Sequence, residues 1–133
     1  MDEFKSIRNF VSRFVSFNET EWRAHQAGLT RRFLQKGEFL LRGGEVCNHV
    51  SFLNKGVARV YNIVADDELT INFAFEGNYI TDYPSLVSRT PSADFIVAME
   101  DVEVLQLDYE TLQRLYEEYP VWQKYGRLMA EYI

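Results

Sequence analysis

Cys47 and His49 stand two residues apart, a spacing that on a β-strand turns both side chains to one face. Sulfur and imidazole are good ligands, so the pair invites a metal or haem reading. Cys47 is the only cysteine, however, and the second histidine, His25, falls in a stretch with helical character. Two ligands on one strand make half a site, so a buried thiol beside a partly exposed histidine is expected, with no metal and no cofactor. A lone cysteine also excludes an intramolecular disulfide, a thiolate-held iron–sulfur cluster and a Cys-rich zinc site. A cupin-like metal enzyme would need several histidines and a carboxylate converging in a barrel. No Ser-His-Asp or Cys-His pairing comes with an orienting group, so the chain is not expected to be an enzyme.

The second chemical feature is the stretch GNYITDYPSLVSRTPSADFIVAMED, Gly77 to Asp101. Its first half gathers turn and hydroxyl residues with Pro84 and Pro91. Its second half is an apolar run into an acidic turn. An irregular, hydroxyl-rich insertion directly before a strong strand is either a surface loop or a site that the strand holds in place.

The flanking elements are legible from periodicity. Residues 2–17 place Phe4, Ile7, Phe10, Val11, Phe14 and Val15 at helical spacing, with Asp2 and Glu3 favourable in the first turn. A second short helix starts after Asn18 or Thr20, each a good cap, and runs to Gly28 as its C′ residue. From Arg31 the period becomes two, and RRFLQ, FLLR, HVSFLN, VARVYNIV, LTINFAFE, DFIVAME and VEVLQLD alternate with glycine and aspartate turns. Evenly spaced short strands of this kind predict a β-sandwich, jelly roll or barrel. After Asp108, a good N-cap, helical spacing returns through Leu112, Leu115 and Tyr116 and stops at Pro120, which opens a last helix. There Trp122, Tyr125, Met129 and Tyr132 recur at intervals of three and four, the seam spacing of a coiled coil. Two heptads are not stable alone in water, so the stripe packs on its own roll or on a dimer mate; a dimer is the expectation. Ile133 ends in mid-pattern without a closing residue, as a chain cut from a longer one would.

With 133 residues and 47% hydrophobic composition the chain suits one domain with a real core. No apolar run reaches the roughly 20 residues of a membrane span, and Met1-Asp-Glu has no signal-peptide character, so a cytoplasmic protein is expected. The net charge of −6 argues against nonspecific duplex binding. From Glu100 onward eight carboxylates face only Arg114, Lys124 and Arg127.

An N-terminal helical pair, a short-stranded roll and two closing helices together resemble the cyclic-nucleotide-binding sensor domain of Crp/Fnr-type transcription regulators, the cAMP receptor protein family. KGEFLLRGGEVCNHVSFLNKGVARVY is similar to the family's first strands, with Gly37, Gly44 and Gly56 at the corners, and the Gly77 turn, IVAMEDVEVLQLD and LQRLYEEYP follow in order. The resemblance implies a mainly β fold with flanking α: a double-stranded β-helix, or jelly roll, over 31–108, N-terminal helices over 1–30, and C-terminal helices over 109–133 that include a dimerisation helix. The whole of 1–133 is then one sensor domain, and the helix-turn-helix that reads DNA is absent from this chain.

The resemblance also places the family's phosphate-binding cassette in the stretch 77–94. The implied ligand-binding positions are Thr81, Asp82, Tyr83, Ser85, Arg89, Ser92, Ala93 and Asp94. Thr81-Asp82 falls where the family has Gly-Glu near the ribose, and Ser92 where it has the arginine that clamps the phosphate. Such an arginine supplies two charge-assisted bonds of roughly 1.5–3 kcal/mol each, so its loss weakens binding by on the order of tenfold to a thousandfold. If Tyr83-Pro84-Ser85 opens a helix, Asp82 caps it and occupies the positive end that an anion would seek. Arg89 is the cation nearby that can compensate. The expectation is an effector-sensing, dimer-forming domain of a Crp/Fnr-like regulator with a degenerate cassette that does not bind cAMP in the usual way. It would be a homodimer through Trp122, Tyr125, Met129 and Tyr132, with an unidentified small-molecule effector and no membrane partner. The competing expectation is a stand-alone β-roll interaction module with no small-molecule ligand.

Overall fold

The structure, a computed structural model, describes residues 2–132; the expectation attached to the chain end at Ile133 lies outside the described residues. Two helices, α1 (Lys5–Ser12) and α2 (Glu19–Gly28), precede eight strands. These are β1 (Thr30–Leu34), β2 (Phe39–Leu41), β3 (His49–Lys55), β4 (Ala58–Val64), β5 (Asp67–Ala74), β6 (Tyr79–Ile80), β7 (Phe95–Ala98) and β8 (Val102–Asp108). Between β6 and β7 lies α3 (Tyr83–Ser88), and α4 (Tyr109–Glu118) and α5 (Pro120–Tyr132) follow β8. The strands form two four-stranded sheets, β1-β8-β3-β6 and β2-β7-β4-β5, and all pairings are antiparallel. This is the expected jelly roll.

Side-chain alternation sorts the core into two compartments. Leu41, Leu53, Val60, Ile96, Val102 and Val104 fill the space between the sheets. Phe52, Leu105 and Leu107 come from the same β3 and β8 but point the other way, onto α1, α2, α4 and α5. Residues 102–107 are therefore buried on both faces, and VEVLQLD carries more apolar surface than a half-exposed strand would need. Gly56 shows what the corners require. Its φ is +94°, and a Cβ there would stand 2.5 Å from Val102 Cγ1 and 2.7 Å from the Asp101 carbonyl.

The N-terminal elements correct the expected boundaries. The first helix spans 5–12 rather than 2–17, because Asp2 accepts the Phe4 amide (2.9 Å) and so ties the start outside the helix. Phe14 and Val15 lie beyond its end yet stay in the second cluster. Asn18 is the cap of α2, in a reciprocal capping box with Glu21. Gly28 is not a left-handed C′ residue but the last helical one, followed by extended Leu29. A Cβ on Gly28 would come within 2.6 Å of Thr111 Cγ2, so close approach to α4 explains the glycine. Among the described residues no helix is long and apolar enough to cross a membrane.

Candidate functional site

The cassette is built by β6, α3 and the entry to β7. Asp82 has extended backbone (φ −100°, ψ 93°) and caps α3, its carboxylate accepting the Ser85 amide at 3.4 Å, with Pro84 in the first turn. Ser92 is buried, and its hydroxyl donates to the same Asp82 carboxylate. In turn Ser92 Oγ accepts the Asp94 amide at 2.9 Å. The segment is pinned from outside as well: Gly44 donates to the Ser92 carbonyl (2.7 Å) and the Ser92 amide to Glu45 (2.8 Å). Asp94 faces this cluster with its carboxyl pushed above the usual range, first by burial and then by the charge of Asp82. Asp82, Ser92 and Asp94 thus form one acceptor-rich knot.

The other expected site residues serve a different contact. Thr81 donates to the His49 carbonyl at 2.8 Å, with its hydroxyl 3.3 Å from Cys47 Sγ. Ser85 is buried, donates to the Thr90 carbonyl (2.6 Å) and accepts the Cys47 amide (2.9 Å). Tyr83 and Ala93 are exposed. Arg89, the cation nearby that could compensate, is bonded to its own chain. It closes α3 in the left-handed conformation (φ +60°), and its guanidinium donates to the carbonyls of Cys47 (3.1 Å) and Leu86 (3.2 Å) and to Asn48 Oδ1 (2.7 Å). The same group lies 4.0 Å over the ring of Tyr109. These bonds use three of its five N–H donors and hold it to the 47–48 turn.

Cys47 lies before β3, buried, with its thiol 3.5 Å from the His49 carbonyl. His49 is half-buried and opposite Asp108, its pKa lowered chiefly by burial. Among the described residues no group of three or more His, Cys, Asp or Glu is placed to hold a metal. Beneath the cassette, between the sheets, Leu41, Cys47, Ile80, Thr81, Ile96 and Gln106 border a cavity of about 20 Å³.

The aromatic stripe of α5 is covered within one chain. Trp122, Tyr125 and Met129 are buried in the helix-side cluster, where Trp122 Nε1 donates to the Glu21 carbonyl (3.0 Å) and the Tyr125 hydroxyl meets that of Tyr79 (2.9 Å). Only Tyr132, 60% exposed, remains outward. Within one chain, α1, α2 and the outer face of β3 and β8 cover the side of α5 that carries these three. His25, expected only as a helical residue away from Cys47 and His49, is buried by the fold against Trp22 and Trp122. Its place three residues after Trp22 in a helical stretch was the one available signal.

A family model described as the cyclic nucleotide-binding domain matches residues 31–119. A search of curated proteins finds no match. Among solved structures, a cyclic nucleotide-binding domain from Methylobacillus flagellatus superposes with a TM-score of 0.80 at 20% identity, over 91% of this chain and 70% of that one. Thermus thermophilus catabolite activator protein gives 0.74 at 21%, over 89% of this chain and 56% of its own length. The regulatory subunit of a cAMP-independent protein kinase A from Trypanosoma cruzi, bound to guanosine, gives 0.72 at 15%, over 96% and 48%. The chain therefore spans about half the length of the last two.

Proposed function

Because the chain belongs to the cyclic nucleotide-binding domain family, we propose that it is the effector-sensing and dimer-forming domain of a Crp/Fnr-like transcription regulator, and that its cassette does not take cAMP in the family's usual way. The observation that carries this reading is the knot of Asp82, Ser92 and Asp94. A cyclic phosphate entering there meets two carboxylates and no free guanidinium, since Arg89 is committed to Cys47, Leu86 and Asn48. Two like charges about 4 Å apart repel by about 4 kcal/mol at an effective dielectric of 20, which opposes the roughly 1.5–3 kcal/mol of each bond an arginine would have made.

An uncharged effector escapes that penalty. Hydroxyl donors suit Asp82, and the similar Trypanosoma cruzi subunit is described as cAMP-independent and bound to guanosine. Effector binding would shift the population of arrangements of α3 and the closing helices, and through them an attached DNA-reading domain, in the cytoplasm. The second reading, a stand-alone roll without a small-molecule ligand, is favoured by the 20 Å³ cavity under the cassette, far below the several hundred Å³ of ordinary ligand pockets.

The test is restoration. Ser92→Arg returns the missing cation and frees Asp82 from its internal partner. Calorimetry should then detect cAMP binding at least tenfold tighter than to the unmodified chain. Equal affinity in both proteins would contradict the assignment of Ser92 to the phosphate position.

A further inference from the structure

Outside the roll, α3, β6 and β8 meet α2, α4 and α5 around a separate cavity of about 60 Å³. Leu86, Leu107, Leu112, Leu115 and Met129 make much of its wall, together with tyrosine and tryptophan rings, and no charged side chain lines it. His25 is the exception in this apolar wall. It is 2% exposed, and neither ring nitrogen has a hydrogen-bond partner. Trp22 stacks on the imidazole at 5.3 Å with 13° between the planes, and Trp122 stands at 4.5 Å and 64°, so packing holds the ring in place. Burial keeps it neutral, its pKa lowered to about 4. A neutral imidazole carries one donor and one acceptor, and a buried polar group without partners calls for an explanation. Of the polar groups around it, the Tyr79 and Tyr125 hydroxyls pair with each other, Thr81 donates to the His49 carbonyl and Trp122 Nε1 to the Glu21 carbonyl, and none of them pairs with the imidazole.

We propose that this cavity is a binding site for a small uncharged molecule with an apolar frame and one hydroxyl or N–H group that pairs with the imidazole of His25. Its size limits the frame. An apolar cavity of about 150 Å³ takes benzene, and this one has less than half of that volume, which suits about three or four heavy atoms: the short alcohol or short amide class. Charged molecules are refused, since no wall residue offers a counter-charge. The occupant would touch Tyr83 and Leu86 of α3 and Gly126, Met129 and Ala130 of α5 together, so occupancy sets the spacing of the cassette helix and the closing helix. The inference is independent of what the cassette binds.

Propan-2-ol is the probe, with the isopropylammonium ion as its charged counterpart of equal shape. A ligand of about four heavy atoms binds no tighter than tens of micromolar, so the titration runs from there to tens of millimolar. NMR should show saturable shifts of the His25 ring and the Trp122 indole with propan-2-ol and none with isopropylammonium. His25→Phe should weaken binding at least tenfold. Leu112→Phe, which fills the cavity and leaves His25 intact, should abolish the shifts and decides the matter if the first variant fails to fold. Unsaturable shifts, equal response to both probes, unchanged affinity in a folded variant, or His25 contacts to water alone would each overturn the proposal.

Discussion

Ser92 donates its hydroxyl to a carboxylate that already accepts the Ser85 amide, so the chain's own side chains close the N-terminus of α3. That end of a short helix is where an anion would otherwise find amides and a favourable dipole. The residue types in the sequence pointed to this outcome, because serine replaces an arginine's geometry without its charge; the fate of Arg89 was not legible. Nothing in the sequence around it records that Cys47 and Asn48 come within reach of its guanidinium, since that contact depends on how the segment between β2 and β3 passes beside α3. His25 is the other residue with a consequence of its own. An unfolded chain protonates its imidazole near pH 6.5 and the folded one only near 4. Between those values the unfolded state binds more protons, so this group makes stability fall as the pH drops, by roughly 3 kcal/mol at pH 4, and contributes no slope above about pH 6.5. The tyrosines sharing its cavity, Tyr79, Tyr116 and Tyr125, have pKa values raised further by burial and stay neutral throughout this window. Glu103 and Asp108, whose pKa values are lowered by Arg31 and by the Thr111 amide respectively, add their own acid loss. The contrast to measure is therefore urea unfolding of the unmodified chain against His25→Phe from pH 7 to pH 4.5. The variant should lose less stability over that range; parallel curves would contradict a buried neutral imidazole.

At the scale of elements, helix and strand order followed from periodicity and caps, and the reason is local. Asn18 and Asp108 each sit where a side-chain oxygen takes an N-terminal amide, and the strand runs alternate wherever one face meets the roll interior. What failed to show was which surface each amphipathic face would find. The stripe Trp122, Tyr125, Met129 reads the same whether its cover is a second copy or the chain's own α1 and α2, because hydrophobic spacing records burial and not the partner. Likewise β6 is two residues long, too short for a period to register. The observed burial changes what substitutions on α5 should do. Tyr125→Glu or Met129→Glu places a charge in the cluster beneath α1 and should destabilise the folded chain itself, by roughly 3 kcal/mol or more. Tyr132→Glu, on the outward side, gives up only edge contacts with Phe10 and Phe14 and should cost about 1 kcal/mol or less. Denaturant unfolding distinguishes the two. Equal, small effects at all three positions would mean that the stripe is not packed within the chain.

The whole molecule combines a jelly roll with little space inside it and a helical layer whose junction with the roll holds a larger cavity than the one under the cassette. A net charge of −6 leaves the surface no broad attraction for phosphate, which agrees with the wiring of the cassette. α3 stands between the two regions: its first turn carries the acceptor knot, while Tyr83 and Leu86 face the helices. An effector at either place would act on the same short helix, and α5 would receive the change. With Ser92 bonded to Asp82 and Arg89 to the 47–48 turn, the proposed cassette has no cation free to clamp a cyclic phosphate. Calorimetric titration of the unmodified chain with cAMP tests this directly. No saturable heat is expected at micromolar concentrations; a dissociation constant in the micromolar range would contradict a cassette without a phosphate clamp.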